Sequence, residues 1–422
     1  MKQNRKILIV GGGVVGLFCA WFLVEEGFEV TIIEREPMES DAGCSTGNAG
    51  MIVPSHFIPL AAPGVVRQGF RWMMNPESPF YIRPRANMDL LSWGWRFIKA
   101  SNAAHVKRSI PLLRDLNLES KRLYASLSQK EGFSFGWGEK GILMLFRTEK
   151  SGEEEARTAE KANEIGLKAQ MLSPAEVQAL EPGVKMDIHG AAYYPGDAHL
   201  HPNSLLASLR QQLIRRGVEI FDYTEVRGIG VSGNTISQVC TSSGDFHPDE
   251  VIIAAGSWSG KLAGLLGIKL PMQGGKGYSF MIGEEKNHPQ IPAIMTEARV
   301  TVTPMNGQLR FGGTLEIAGE DRSVNLRRVR GIVRAIPKYF PEIKPEMPSQ
   351  PEEVWRGLRP CSPDGLPYIG RSEKYANLIF ATGHAMMGIS LAPVTGRLVA
   401  DILAGKKSQI PMALLKPERY AK

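Results

Sequence analysis

The sequence has few cysteines, and none is placed for a disulfide framework or a metal site. The four, Cys19, Cys44, Cys240 and Cys361, lie far apart in 422 residues, without a Cys-x-x-Cys pair or histidines at ligand spacing. Disulfide-rich secreted domains and structural zinc sites need closely spaced cysteines. The pattern therefore predicts a protein without a bound metal that works in a reducing, cytoplasmic compartment.

Blocks of like charge and long apolar runs are also missing. The net charge is +7, but lysine and arginine are dispersed and no block of five like charges occurs, which disfavours a nucleic-acid partner. No run of about 18 apolar residues is present, and the first apolar segment follows no cleavable leader. We therefore expect neither a nucleic-acid-binding protein nor a secreted or membrane-spanning one.

An apolar strand, a glycine turn, a helix and a second strand ending in an acid open the chain. The strands are residues 6–10 and 29–33, the turn carries Gly11, Gly13 and Gly16, and the acid is Glu34. These glycines allow a tight turn, close approach of backbone N–H groups to a pyrophosphate, and close helix packing. A carboxylate that accepts hydrogen bonds from ribose hydroxyls disfavours the 2′-phosphate of NADP. The motif therefore predicts an FAD or NAD site.

Three later segments favour FAD over NAD. Residues 45–51 form a small-residue loop, residues 251–258 run from an apolar strand into a glycine turn, and residues 377–390 repeat the order of strand, glycine turn and helix. The N-terminus of that last helix suits the negative charge of a reduced flavin. The expected FAD-binding residues are Gly11, Gly13, Val14, Val15, Gly16, Glu34, Arg35, Ser45, Asn48, Ala49, Gly50, Met51, Val226, Ala255, Gly256, Trp258, Gly383, His384, Met387, Gly388 and Ile389.

The most specific motif is the run G-L-R-P…D-G-x-P-x-I-G at residues 357–370. With it and the glycine motifs, the chain resembles the flavin-dependent oxidoreductases that include glycine oxidase, D-amino-acid oxidase and bacterial D-amino-acid dehydrogenase. Residues 48–50, 59–64 and 276–279 look more like the dehydrogenase branch. The resemblance implies that a D-amino acid is converted to a 2-oxo acid and ammonia by hydride transfer to flavin N5. It also implies that a quinone or an artificial dye accepts the electrons instead of oxygen.

The expected fold class is α/β, with a Rossmann-type FAD-binding domain and an interleaved antiparallel-sheet substrate domain that caps it. We assign residues 1–75, 190–265 and 350–422 to the FAD-binding domain and residues 76–189 and 266–349 to the cap. Cap strands are predicted at 142–146, 191–194, 277–282, 299–303 and 308–312, with Asn306-Gly307 as a hairpin turn. Helices are predicted at 109–130, 153–165, 174–180, 203–216 and 323–336.

Four residues are candidates for the substrate site. The resemblance implies that Arg359 binds the substrate carboxylate, which suits the planar fork of a guanidinium. The resemblance also implies that Met51 lines the substrate pocket. We expect His56 to line it too and Tyr278 to offer a hydroxyl, while a structural role stays open for each of the four. No catalytic base is expected, because hydride transfer needs none, and Met386 stands where glycine oxidase has an arginine, which predicts a less polar pocket.

Two other functions stay open, as does the number of subunits. The first is an oxidase or dehydrogenase of glycine, sarcosine or a proline derivative, and the second is the flavin-carrying subunit of a hetero-oligomeric dehydrogenase.

Residues 65–100 have the composition of a surface at a lipid interface. They hold three of the seven tryptophans, Trp72, Trp93 and Trp95, among six cations, a mixture typical of such surfaces. The alternative is that these aromatics form the core of the cap. Because the resemblance to the dehydrogenase branch implies a membrane quinone as electron acceptor, we expect peripheral contact with the inner face of a membrane.

Overall fold

The computed structural model describes residues 5–73, 75, 77–85, 87–283 and 287–420. Its strands form two large sheets and two small ones. The helices of the described residues are Val14–Glu25, Val65–Met73, Met88–Ala100, Ala103–Ser128, Glu149–Glu164, Pro174–Leu180, Pro202–Arg215, Ser259–Leu265, Leu326–Tyr339 and Gly388–Leu403.

The first large sheet has six strands and is parallel except at one edge. Across the sheet the strands are Tyr368–Arg371, Leu378–Thr382, Glu250–Ile253, Lys6–Val10, Glu29–Ile33 and Glu219–Phe221, of which the first runs antiparallel to its neighbour. The central strands are short and almost wholly apolar because both faces are covered. Helix Val14–Glu25 covers one face and is itself covered, with Phe18 packed edge-on against Tyr124 at a centroid distance of 5.4 Å.

The second large sheet has nine strands. Across it lie Trp355–Cys361, Gln273–Ile282, Gln308–Ile317, Val300–Met305, Ala293–Met295, Ile142–Phe146, Gly190–Tyr194 and Gln170–Leu172, and Phe80–Ile82 pairs beside Gln308–Ile317. Side chains of a strand alternate between the two faces. Tyr278, Phe280 and Phe311 belong to the core that includes helix Leu326–Tyr339, whereas Ser279 on the opposite face bonds the loop of residues 45–50.

Two smaller sheets complete the fold. Val226–Ser232, Thr235–Thr241 and Gly244–Phe246 form a three-stranded antiparallel sheet, and Met51–Ile52 pairs with Ala198–His199. This second pairing follows the 45–50 loop directly. It therefore fixes the position of the end of that loop.

The predicted fold class is confirmed, with differences in the cap. All five predicted cap strands and the Asn306-Gly307 turn occur, and both turn residues have positive φ. Helix Ala103–Ser128 begins earlier than predicted because Asn102 caps it through His105 N–H and Pro111 is accommodated inside the helix. Helices Val65–Met73 and Met88–Ala100 had no counterpart in the predicted elements.

The predicted domain boundaries misplace three elements. Strands Gly190–Tyr194 and Trp355–Cys361 were assigned to the FAD-binding domain, but they pair with Ile142–Phe146 and Gln273–Ile282 in the nine-stranded sheet. Helix Ala103–Ser128 was assigned to the cap, yet the Tyr124 hydroxyl donates to Ile389 O at 2.7 Å inside the other core. The chain thus passes between the FAD-binding part and the cap more often than the predicted boundaries indicate.

Within the described residues, one helix is long and apolar enough to span a membrane by composition. The span Ala385–Leu403 has a mean hydropathy of 1.4, and two thirds of it is buried in the protein. Its neighbours are helices Val14–Glu25 and Ala103–Ser128. It has the position of a core helix.

Candidate active site

A cleft of about 460 Å³ opens at the carboxyl ends of the parallel strands, the usual position of a ligand in an open α/β sheet. The expected FAD-binding residues that line it are Gly11, Gly13, Val14, Val15, Glu34, Arg35, Ser45, Asn48, Val226, Ala255, Gly256, Trp258, His384, Gly388 and Ile389. The other six, Gly16, Ala49, Gly50, Met51, Gly383 and Met387, lie outside this lining. Segments from both ends of the chain therefore meet at one cleft.

The glycine turn has two kinds of glycine. A Cβ at Gly16 would lie 1.9 Å from Gly11 O, so this position is dictated by packing. A Cβ at Gly13 would meet only Ser45 Oγ, at 3.6 Å, so its free space belongs to the cleft. Helix Val14–Glu25 starts there with no acid in its first turn and no cap from its N-cap residue Gly13, although Ser45 Oγ accepts Val14 N–H at 3.2 Å. A pyrophosphate fits this position, because backbone N–H groups and the helix dipole are available to it.

Glu34 is held at the far side of the turn. Its Oε2 accepts Gly12 N–H at 2.8 Å, and its Oε1 accepts Glu36 N–H at 3.0 Å. The Arg35 guanidinium lies over the Trp258 ring, 4.5 Å from its centroid, at the rim of the cleft. A fixed carboxylate beside an aromatic rim suits the ribose and adenine of a dinucleotide.

Three side chains of the nine-stranded sheet hold the 45–50 loop. Arg310 Nη1 donates to Thr46 O and Asn48 O, both at 2.8 Å, and Ser279 Oγ donates to Gly47 O at 2.9 Å. The Trp355 ring covers Gly47, where a Cβ would lie 1.9 Å from the ring. Burial lowers the pKa of Arg310 to about 10. These holding residues were not predicted.

Arg359 is a half-buried cation without a carboxylate partner. Its Nη1 donates to Thr314 O at 2.6 Å, and no carboxylate among the described residues forms an ion pair with it. Burial lowers the pKa of Arg359. Burial also raises the thiol pKa of Cys44 to about 11 and of Cys361 to about 12, so these neighbours stay uncharged at neutral pH. A cation that is partly withdrawn from water and has no carboxylate partner favours an anionic ligand.

The backbone around Arg359 is shaped for its guanidinium. A Cβ at Gly277 would lie 2.2–2.4 Å from Nη2, Cζ and Nη1 of Arg359, so the guanidinium occupies the space above this glycine. Thr314 has φ of 69°, which is strained for a β-branched residue. Its carbonyl is the acceptor for Arg359. Since Thr314 lies in the same sheet, this hydrogen bond holds the guanidinium within the nine-stranded sheet.

Tyr278 does not offer its hydroxyl to the cleft, which corrects our expectation. The hydroxyl donates to Glu316 Oε2 at 2.9 Å and accepts Asn325 N–H at 3.2 Å. Alternation along strand Gln273–Ile282 puts Gly277 on the Arg359 face and Tyr278 on the opposite face. Its role is structural.

The two expected histidines are neutral and engaged. His384 Nε2 bonds Thr395 Oγ1 at 2.9 Å, and burial lowers its pKa to about 3. His56 Nδ1 bonds Ser55 Oγ at 3.1 Å, Ser55 Oγ donates to buried Asp197, and burial lowers the pKa of His56 to about 4. Only His384 lines the cleft. Neither ring is therefore placed as an obvious base.

Met51 lies in an apolar cluster beyond the loop. The cluster also contains Val53, Met144 and Tyr194, with Met387 packed against it. Met51 does not line the cleft. That Met51 lines the substrate pocket stays a prediction.

Known proteins resemble this chain over its whole length. The sequence profile of a family described as FAD-dependent oxidoreductase, DAO, matches residues 6–402. A D-amino acid dehydrogenase of Granulibacter bethesdensis is 32% identical over 99% of this chain and 100% of its own length. One of Bradyrhizobium diazoefficiens is 31% identical over 99% of both chains.

Solved structures share the fold. The glycine oxidase of Geobacillus kaustophilus has a TM-score of 0.79 at 26% identity and covers 99% of both chains. The L-proline dehydrogenase of P. horikoshii has a TM-score of 0.74 at 20% identity, covering 100% of this chain and 99% of its own.

Proposed function

The chain belongs to the FAD-dependent oxidoreductase family DAO, and on that premise we propose that it oxidises D-amino acids to 2-oxo acids and ammonia. The observation that carries this proposal is the uncompensated Arg359 guanidinium, fixed by Thr314 above Gly277. A carboxylate is the ligand that best matches a planar fork of N–H donors. The full-length D-amino acid dehydrogenase relatives support the choice of substrate class.

Bound FAD would supply the redox chemistry by accepting a hydride from the substrate Cα at N5. The residues of this chain orient the substrate. Thr314 O engages Nη1, so Nε and Nη2 of Arg359 are left to pair with the substrate carboxylate. Correct placement of the reacting carbon then accounts for much of the rate. No protein base is assigned, because the Cα of a substrate with a neutral amine can lose a hydride without one. The resulting imino acid is then hydrolysed by water.

A panel of substrates tests this proposal. The FAD-loaded, singly expressed chain is assayed by dye reduction with D- and L-amino acids, glycine, sarcosine and proline, and again with oxygen as sole acceptor. We expect turnover of D-amino acids with the dye and little with oxygen. Turnover of glycine or sarcosine alone would favour the glycine oxidase alternative that the structural similarity keeps open. Activity found only after a partner chain is added would indicate the hetero-oligomeric alternative.

We further propose that electrons pass to a membrane quinone and that helix Met88–Ala100 contacts the inner face of the membrane. Four large apolar side chains of this helix are exposed at spacings of three, four and three residues: Met88, Leu91, Trp95 and Ile98. We call them the apolar stripe. One helix face covered with apolar residues is typical of interfacial helices, and exposed Lys99 lies beside it.

The apolar stripe replaces part of the predicted surface. Trp93 is buried and donates Nε1–H to Cys361 O at 2.9 Å, so it is a core residue, as the alternative prediction had it. Trp72 is half-buried. Met74 and the side chain of Arg71 lie outside the described residues. The expectation of contact therefore rests on Trp95 and its helix neighbours.

Flotation with anionic liposomes at low salt tests the membrane contact. The triple variant Leu91→Ser, Trp95→Ser, Ile98→Ser is expected to lose binding. Ile214→Ser, which changes an exposed apolar residue on another helix, is the matched control and should float normally. Equal flotation of both variants, or none by the wild type, would contradict the proposal.

A further inference from the structure

A second cavity, separate from the FAD cleft, lies between the Asn306-Gly307 hairpin and the segments 136–140 and 199–201. It has a volume of about 170 Å³ and shares no lining residue with the cleft. Its polar lining consists of Lys140, His199, His201, His288, Gln290 and Asn306. Among the described residues, no carboxylate lines it. We call it the histidine cavity.

His199 is the most buried of these side chains, with 8% of its surface exposed. Its backbone is fixed by two hydrogen bonds of 2.9 Å with Gly138, and its ring lies over that glycine. Among the described residues the ring has no hydrogen-bond partner, and Nδ1 is enclosed without one. Since nearly all buried polar groups in proteins are paired, this ring has unused capacity to bind a ligand.

His201 presents a donor even when it is neutral. Its Nδ1 accepts Ser204 N–H at 3.2 Å, where it caps helix Pro202–Arg215. A neutral imidazole with an acceptor at Nδ1 carries its proton on Nε2. His201 therefore contributes an N–H donor to the polar groups of the cavity.

The charges around the cavity favour an anion over a metal cation. Burial first, and Lys140 second, lower the pKa of His199 to about 4, while burial and Arg310 lower the pKa of His201. Glu181 lies outside the lining; its carboxylate accepts the backbone N–H groups of Gln290 and Ile291 and also interacts electrostatically with Lys140 and His288. In the part of the chain that the structure describes, no histidine, cysteine or acid group is arranged to hold a metal.

We propose that the histidine cavity binds a small phosphate-type oxyanion through Lys140, His199 and His201. The ligand is either inorganic phosphate or the phosphate group of a small metabolite, and both meet the same donors. The site would lie beside the strand that follows the 45–50 loop, because His199 pairs with Met51. This inference is independent of the substrate that Arg359 binds.

Calorimetric titration of the FAD-loaded protein with inorganic phosphate, at constant ionic strength, tests the proposal. We expect saturable binding to one site, weakened at least tenfold in Lys140→Met and in His199→Gln. Lys140 is exposed, so its variant should fold even if the buried His199 variant does not. Lys168→Met and His247→Gln, at exposed positions, are the matched controls and should bind like the wild type.

Further titrations separate the sources of the anion. Methyl phosphate that binds as well as inorganic phosphate would support a metabolite phosphate, and weaker binding would support the free ion. Three results would overturn the proposal: no saturable phosphate binding by the wild type, equal binding by all variants, or loss of binding in Arg359→Met, which would move the anion to the substrate site. Zinc binding that depends on His199, without phosphate binding, would also overturn it.

Discussion

Replacing Gly277 by alanine should damage catalysis while leaving the fold and the FAD content intact. The added Cβ would lie 2.2–2.4 Å from three atoms of the Arg359 guanidinium, whereas nonbonded carbon contacts lie at about 3.5–4.0 Å. The guanidinium must then move by more than about 1 Å. It is the mobile end of a long side chain, so the cost in stability is small, but its 2.6 Å hydrogen bond to Thr314 O is lost.

The consequence should appear in kcat/KM. Misplacement of a substrate-binding group by about 1 Å can cost about 100-fold in rate, which corresponds to about 2.7 kcal/mol in transition-state binding. Dye-reduction kinetics, flavin absorbance and thermal melting are compared for the wild type and Gly277→Ala. The control is Gly283→Ala. Gly283 directly follows the same strand, and a Cβ there would meet nothing within 4 Å, so this variant should behave like the wild type. An unchanged kcat/KM in a folded, FAD-loaded Gly277→Ala protein would refute the placement of Arg359 in the substrate site.

Three further predictions address the arginine, the glycine turn and a buried acid. Arg359→Lys should lose about 2–4 kcal/mol in transition-state binding, seen in kcat/KM at unchanged FAD content, because a point charge replaces the planar fork. Gly13→Val should leave a folded protein that retains no FAD, since its side chain enters the cleft, whereas Gly16→Ala should also lower the melting temperature, because its Cβ meets Gly11 O at 1.9 Å. Burial raises the pKa of Asp197 to about 7 in the folded chain, above about 3.9 when unfolded. Its contribution to stability is therefore present below pH ~4 and lost as pH rises towards ~7. Urea unfolding should show the wild type losing stability relative to Asp197→Asn across that interval.

The sequence predicts best what depends on neighbouring residues in the chain. The order of strand, glycine turn, helix, strand and Glu34 is local, and the structure shows it with Gly12 N–H bonded to Glu34. The helix predicted at residues 174–180 is equally local and occurs at those bounds, where Ser173 and Glu176 form both hydrogen bonds of a capping box. The Asn306-Gly307 turn follows from the left-handed conformations that these residues accept.

What sequence reasoning missed depends on the register between distant strands. Tyr278 was expected at the site, but its orientation is decided by which neighbour pairs with strand Gln273–Ile282 and with what register. Arg310 and Trp355 contact the 45–50 loop, but each is separated from it by more than 250 residues in the sequence. The positive φ of Thr314, whose carbonyl accepts the hydrogen bond of Arg359, could not be predicted from the sequence, because threonine rarely adopts positive φ.

The most direct test is anaerobic mixing of the FAD-loaded protein with single D-amino acids and their L-enantiomers, followed by the loss of oxidised-flavin absorbance. The account predicts that D-amino acids reduce the flavin, that L-enantiomers do not, and that a soluble quinone reoxidises it much faster than oxygen does. Flavin that is reduced only by L-amino acids or by glycine, or by none of these substrates, would contradict it.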